Sequence, residues 1–260
     1  MTAAPAAVLW DVDGTLAETE RDGHRVAFNL AFETEGLAWR WDPERYGELL
    51  RVAGGRERLL FDMETRPDAP RSARDRLALV ERLHQRKTAH YTALVRQGAI
   101  GLRDGVRPLL QECRAHGVTL GIATTTTRAN IEALLSTQLG SDWPRWFAVI
   151  VAGEDVRHKK PDPEVYHLAL AELGISPGEA LALEDSPDGA RAALAAGVPV
   201  VVTRSAYFSE APPAGVAAEG PGLQVRAGWT PAPERSSTAT GIGFEDLRRW
   251  WAAATTPQEK

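Results

Sequence analysis

A single cysteine, Cys113, leaves no partner for an intramolecular disulfide. Such sparing use of cysteine suits a reducing compartment. Cys113 lies in VRPLLQECRAHG, an amphipathic helical pattern, where a small buried apolar residue is expected and not a nucleophile. No run approaches the roughly 20 apolar residues that a membrane span needs. The opening MTAAPAAVLW has no basic segment of the kind that starts a secretory leader. A cytoplasmic protein without a membrane partner is therefore expected. Positive charge is not in excess either. Lys and Arg number 30 against 35 Asp and Glu, and the formal net charge of -5 argues against nucleic acid as a partner. A small anionic ligand stays possible, because one pocket can be positive on an acidic protein. No internal repeat is present, and a monomer is expected.

What the chain does have is a hydrophobic fraction of 43%, ample for a core. Five short apolar runs read as strands: AAVLW ending at Trp10, then residues 118–123, 147–151, 180–183 and 198–202. Continuous apolar character marks strands covered on both faces, as in a parallel sheet. Helical patterns fill the later gaps at 106–116, 128–139, 163–173 and 187–196, each stopped by a glycine. Asp162 is a candidate N-cap for the third of these. Strands alternating with helices predict an α/β fold with a doubly wound parallel sheet.

Residues 17–100 break the alternation. They contain no convincing strand and read as helices over 19–34, from Asp42-Pro43 onward, around 56–64, and over 72–96. This predicts a small helical domain inserted into the first strand–helix connection, joined to the core by two linkers that make a natural hinge. The expected division is a core of residues 1–17 and 98–208, a helical insert of 18–97, and a tail of 209–260. The tail is rich in Pro, Gly, Ala and Ser (APPAG, EGPG, TPAPE) and reads as irregular. A closing helix at 244–254 is anchored by Trp250 and Trp251.

In open α/β sheets, ligands bind beyond the carboxyl ends of the strands. Polar residues stand at those ends one strand after another: Asp11-Val12-Asp13-Gly14-Thr15, then Thr124-Thr125-Thr126-Thr127, then Lys159-Lys160-Pro161, then Glu184-Asp185-Ser186. Asp11, Asp13, Glu184 and Asp185 together would repel one another and raise each other's pKa. A hard divalent cation resolves that conflict, and an all-oxygen donor set points to Mg²⁺. Lys160 and the hydroxyls of Thr124 and Thr125 supply positive charge and donors for phosphoryl oxygens. The set reads as a phosphoryl-transfer site. Lys159 reads as a solvated neighbour of Lys160.

DVDGT, the strand-end Thr124, the KP lysine Lys160 and LEDS, in that order, resemble the four motifs of the haloacid dehalogenase-like (HAD) superfamily across roughly residues 8–203. The resemblance implies that Asp11 attacks phosphorus to form an aspartyl-phosphate. Asp13 would protonate the leaving alkoxide and then activate water. It further implies that Asp11, the Asp13 carbonyl, Glu184 and Asp185 hold Mg²⁺, that Thr124 and Lys160 hold phosphoryl oxygens, and that the helical insert is a cap closing over the site. DVDGTLAETE, HRVAFN, WRWDPERY, AGGRERL, ATTTT, HKKPDPEVY and ALEDS are similar to a narrower group, the CbbY proteins, which dephosphorylate xylulose 1,5-bisphosphate, an inhibitory misfire product of Rubisco in the Calvin cycle. One departure is that ERDGH is a residue longer than that group's spacing before the histidine.

A bisphosphate needs a second anion subsite. Arg56 in GGRER is the leading candidate, with Arg58 behind it, and Gly54-Gly55 would let backbone N–H groups approach. Glu18, His24 and Tyr46 are candidate contacts to sugar hydroxyls. Trp39 and Trp41 read as packing within the insert. A sugar-phosphate mutase of β-phosphoglucomutase type shares these features and stays open as an alternative. A phosphonatase would need a lysine in the insert, and the only lysine before residue 159 is Lys87, late in the long helix. A dehalogenase would not need Asp13. A catalytically silent binding protein sits poorly with a full set of reactive groups.

Overall fold

The computed structural model describes residues 3–52, 54–208, 211–234 and 240–256. The chain divides into two compact units, Met1–Glu18 with Gly101–Lys260, and Thr19–Ile100. In the first, a six-stranded sheet has the order β3-β2-β1-β4-β5-β6, with every neighbouring pair parallel. The strands are β1 (Ala7–Trp10), β2 (Thr119–Ala123), β3 (Val149–Val151), β4 (Ala180–Glu184), β5 (Val200–Thr203) and β6 (Ala218–Gly220). The helices that cover it are α5 (Val106–Ala115), α6 (Arg128–Leu139), α7 (Glu164–Leu173), α8 (Pro187–Ala195) and α9 (Phe244–Thr255). The four central strands are almost wholly buried, as their unbroken apolar runs require. Pairing in register puts Trp10 beside Ile122 and Leu183, so the chain leaves β1, β2 and β4 at one edge. The order reverses between β1 and β4, which is the switch point where such sheets bind ligands.

The start of α7 and the tail differ from the sequence reading. Helix α7 begins at Glu164 with Pro163 at the N-cap position, and Asp162, the expected cap, stands one residue ahead of it and accepts from the Glu164 N–H (3.0 Å). The tail is not simply irregular. Residues 218–220 form β6, because the outer edge of β5 has open backbone groups that a short strand can pair, whatever its composition. Beyond β6, Trp229 stacks on Trp250 with ring centroids 4.9 Å apart, and Arg226 donates to both Asp246 oxygens (2.7 and 2.8 Å). The parts of the tail at 209–210, 235–239 and 257–260 lie outside the described residues.

The second unit holds α1 (Arg25–Thr34), α2 (Pro43–Leu49), α3 (Gly55–Glu64) and α4 (Ala73–Arg96). Asp42 caps α2 by accepting from Arg45 N–H (2.8 Å), and Ser72 caps α4 through Asp75 N–H (3.1 Å). Thr19–His24 is wound as a π-helix leading into α1, the conformation that takes an extra residue into a helix. The longer ERDGH spacing falls in this turn. Phe28, Phe32, Trp39, Trp41 and Tyr46 form the aromatic core of the unit, which gives Trp39 and Trp41 the packing role expected of them. Among the described residues no helix is long and apolar enough to cross a membrane.

Candidate active site

Asp11 is the first residue after β1, and its N–H donates to Leu183 O on β4 (3.1 Å). That bond seats it opposite Glu184, the last residue of β4, with Asp185 next in the chain. One carboxylate oxygen from each of Asp11, Glu184 and Asp185 falls within a group whose members all lie within 4.8 Å of one another, and all three residues are buried. Lys160 reaches this cluster from the segment after β3. Its Nζ donates to Asp11 Oδ1 (2.7 Å) and to Ala123 O (2.8 Å), and pairs with Glu184 Oε1 (2.6 Å). Burial alone would lower the Lys160 pKa, but Asp11 and Glu184 outweigh it and hold the ammonium protonated.

One lysine cannot satisfy three acids. Burial, followed by the charge of Asp11, pushes Asp185 well above its usual range. Burial also pushes Glu184 up to about 7, although Lys160 pulls the other way. Glu184 Oε1 takes both Lys160 and the hydroxyl of Tyr166, whereas the buried Oε2 has no hydrogen-bond partner among the described residues. An orphaned carboxylate oxygen amid excess negative charge fits a hard cation, and every donor here is oxygen. Gly189 leaves the room this carboxylate occupies: a Cβ there would lie 1.9 Å from Glu184 Oε2.

The loop after β1 is held tightly. Gly14 has φ +87°, a conformation that favours glycine, and a Cβ on it would meet Asp185 Oδ2 at 2.0 Å. The preceding Asp13 is half-buried and bridges to Ala17. Thr124 follows β2, with its N–H on Val151 O (3.0 Å) and its hydroxyl accepting from Thr126 N–H (3.3 Å). Thr125 is half-buried beside it, and Lys159 is exposed. Asp11, Glu184 and Lys160 thus meet in direct contact, with an Asp185 oxygen within 4.8 Å of the other two carboxylates and with Asp13, Thr124 and Thr125 on the adjoining loops of the same sheet edge. Glu18, the last residue of this unit's first segment, pairs with Arg103 Nε (3.3 Å) and accepts from Ala206 N–H (3.3 Å).

The helical unit gathers a different set. Arg58 is buried in α3. It donates from Nε to Leu49 O (3.1 Å) and from Nη1 to Tyr46 OH (3.0 Å), and Tyr46 donates to Glu20 Oε2 (2.5 Å). Arg56 does not join them. Its side chain is 52% exposed and pairs with Glu81, whereas that of Arg58 is 9% exposed. Burial thus separates the two arginines, Arg58 inside the unit and Arg56 at its surface. Two residues along a helix point to nearly opposite faces, and α3 turns Arg58 inward. Gly54 stands at the N-cap of α3 with φ +95°, and Gly55 is packed near Phe28 and His84. His24 is buried and stacked on Tyr91 (centroids 4.2 Å apart). Burial, then Lys87 and Arg58, hold its pKa well below the usual imidazole value, so the ring is neutral. Glu20, Tyr166, Gly189 and Arg103 escaped the sequence reading. Glu20 and Tyr166 close the runs DVDGTLAETE and HKKPDPEVY, but their partners are distant in sequence, and Arg103 reaches back to Gly14 across 89 residues.

The profile of haloacid dehalogenase-like hydrolases matches residues 5–197, and the chain belongs to that family. It is an enzyme of the phosphatase class. It is 44% identical over 205 residues to the plasmid protein CbbY of Cupriavidus necator, covering 78% of this chain and 80% of that one. It is 45% identical over 201 residues to CbbY of Rhodobacter capsulatus, covering 77% and 86%. Among solved structures it is similar to a mutant CbbY from Rhodobacter sphaeroides crystallised with xylulose 1,5-bisphosphate, with a TM-score of 0.71, 41% identity, and 82% and 92% of the two chains covered.

Proposed function

We propose that this protein is a Mg²⁺-dependent sugar-phosphate phosphatase that acts on xylulose 1,5-bisphosphate through an aspartyl-phosphate on Asp11. The contact between Lys160 Nζ and both Asp11 and Glu184 carries this reading. It orients the Asp11 carboxylate at a buried strand end, as a carboxylate nucleophile requires. The likeness to CbbY with its bound bisphosphate supports the choice of substrate.

An Asp11 oxygen forms the new bond to phosphorus as the ester P–O bond breaks, and Asp13 gives its proton to the departing alkoxide. Asp13 then takes a proton from water as that water attacks phosphorus. The Asp11–phosphorus bond breaks, inorganic phosphate leaves, and Asp11 returns as a carboxylate. Lys160 and the hydroxyls of Thr124 and Thr125 hold the phosphoryl oxygens in place. Asp11, Glu184, Asp185 and the Asp13 carbonyl would hold Mg²⁺, which neutralises charge on the phosphoryl group when bound. Glu18, His24, Tyr46, Gly54, Gly55 and Arg58 are assigned to the rest of the substrate. Arg58 meets the second phosphate, and Arg56 has at most an outer role.

The test is phosphate release from a panel of sugar mono- and bisphosphates with Mg²⁺ present. The expected result is the highest kcat/KM on xylulose 1,5-bisphosphate. Preference for a monophosphate would overturn the choice of substrate. Conversion of β-glucose 1-phosphate to the 6-phosphate without phosphate release would identify a mutase instead.

A further inference from the structure

Arg103 stands just past Gly101, where the chain re-enters the sheet-bearing unit. Its side chain is only 10% exposed. The guanidinium meets four oxygens from two separate segments, 14–18 and 203–204. Nη1 donates to Gly14 O, in the loop after β1, and to Thr203 O (2.9 Å), at the end of β5. Nη2 donates to Arg204 O (2.6 Å), and Nε pairs with Glu18 Oε1 (3.3 Å). The backbone joins in: Arg103 N–H donates to Leu16 O (2.8 Å), and Leu102 bridges Ala17. A planar fork of five donors can hold all these oxygens at once, which a lysine's point charge cannot.

What it ties is the loop that carries Asp13. The Gly14 peptide is gripped from two sides, with Asp185 against its Cα and Arg103 on its carbonyl. No other side chain among the described residues donates to the Gly14 carbonyl. Without that bond, the turn that carries Asp13 is left to its own backbone hydrogen bonds, Gly14 N–H to Ala17 O (2.7 Å) and Leu16 N–H to Val12 O (3.0 Å). We infer that Arg103 is a positioning residue for the reaction: it fixes the 13–15 loop against the end of β5, and with it the acid–base carboxyl of Asp13, while holding the Glu18 carboxylate beside the same loop.

The inference rests on Asp13 acting as proposed above, so Asp13→Asn is measured beside Arg103→Met and Arg103→Lys. All are made in the full chain and assayed with Mg²⁺ on p-nitrophenyl phosphate, which carries no sugar to contact Glu18. Both Arg103 variants should lose kcat on the order of a hundredfold, the scale for a misplacement of about 1 Å, with KM little changed. Near-UV circular dichroism at the assay temperature shows whether each is folded, and Arg103→Lys decides the matter if Arg103→Met is not. Added guanidinium ion should recover part of the kcat of Arg103→Met or of an Arg103→Gly variant, and ammonium ion at equal ionic strength should not. Wild-type kcat in a folded Arg103 variant, beside an inactive Asp13→Asn, overturns the assignment alone. So does a loss that follows the unfolded fraction and ignores guanidinium. Wild-type kcat in Asp13→Asn overturns the acid–base reading and this assignment together.

Discussion

Two buried carboxylate centres, Asp62 in the helical unit and the Asp11, Glu184 and Asp185 cluster in the sheet-bearing unit, are satisfied in opposite ways. In the helical unit, Asp62 accepts from Trp41 Nε1 (2.8 Å), from Arg45 Nε and Nη2 (3.1 and 2.7 Å) and from Arg66 Nε (2.6 Å). Burial works against its charge, but these donors outweigh it and hold its pKa below the usual value. In the sheet-bearing unit, Asp11, Glu184 and Asp185 share one lysine, Glu184 and Asp185 are pushed up, and Glu184 Oε2 has no partner among the described residues. Asp62 is a completed structural clamp. The other centre holds more negative charge than the chain itself compensates, and such conflict marks a place built to receive something else.

The sharpest way to break the comparison is to neutralise one acid at each centre. Asp11→Asn should abolish turnover, by at least about 10³-fold, because an amide is a poor nucleophile, while the far-ultraviolet circular dichroism stays that of the wild type. Near-wild-type kcat in Asp11→Asn would remove the covalent mechanism. Asp62→Asn should leave kcat on p-nitrophenyl phosphate nearly unchanged.

The next effect is on cation binding. Chelation should remove activity and excess Mg²⁺ should restore it. Independently of activity, Mg²⁺ at about 100 times its Kd should stabilise the fold by about 2.7 kcal/mol, read as a rise in Tm. Asp185→Asn should abolish that rise and Asp62→Asn should keep it. Equal Mg²⁺ shifts in both variants would mean that the ion binds elsewhere.

The two centres also differ in how far they were legible beforehand. The sheet-edge cluster was foreseen because each acid follows an unbroken apolar run, and the runs place strand ends together whatever the loops do. Lys160 was foreseen from its place after the third run and from the Lys160-Pro161 pair. The contacts inside the helical unit were not. Glu20, Tyr46 and Arg58 meet across gaps of 26 and 12 residues, and no periodicity encodes which helix faces which. Arg56 outranked Arg58 in the sequence because it stands beside the glycines. The phase of α3, set by where the helix starts, decides which of the two is buried. Strand β6 was missed for a related reason: its residues AEG carry no apolar run, and the open edge of β5 determines the pairing.

A smaller effect separates the two arginines. Arg58→Met should lower kcat/KM on the bisphosphate by roughly ten- to a hundredfold, the equivalent of about 1.5–3 kcal/mol for hydrogen bonds to a charged group. It should act much less on p-nitrophenyl phosphate, which has no second phosphate. Arg56 forms an exposed pair with Glu81, and such pairs contribute about 0–1 kcal/mol, so Arg56→Met should change kcat/KM by no more than about fivefold. The opposite ranking would return the second-phosphate role to Arg56.

The smallest effect belongs to the Asp62 clamp and is confined to acid. The folded protein holds the Asp62 pKa below its unfolded value, so the unfolded chain takes up the proton first as pH falls. Stability from this group is therefore complete above the ordinary aspartate pKa of about 3.9 and drains away as pH falls from there through the lower folded value. A single proton limits the slope to about 1.4 kcal/mol per pH unit. Asp62→Asn has no such proton, so the difference in stability between wild type and variant should be constant from pH 7 to about 5 and shrink below about 4. Urea unfolding at a series of pH values reads this directly. Mg²⁺ should not alter the difference, because the clamp's donors all come from the helical unit: Trp41, Arg45 and Arg66. A gap that widens in acid would mean that Asp62 is protonated in the folded protein and that the clamp is not an ionic one.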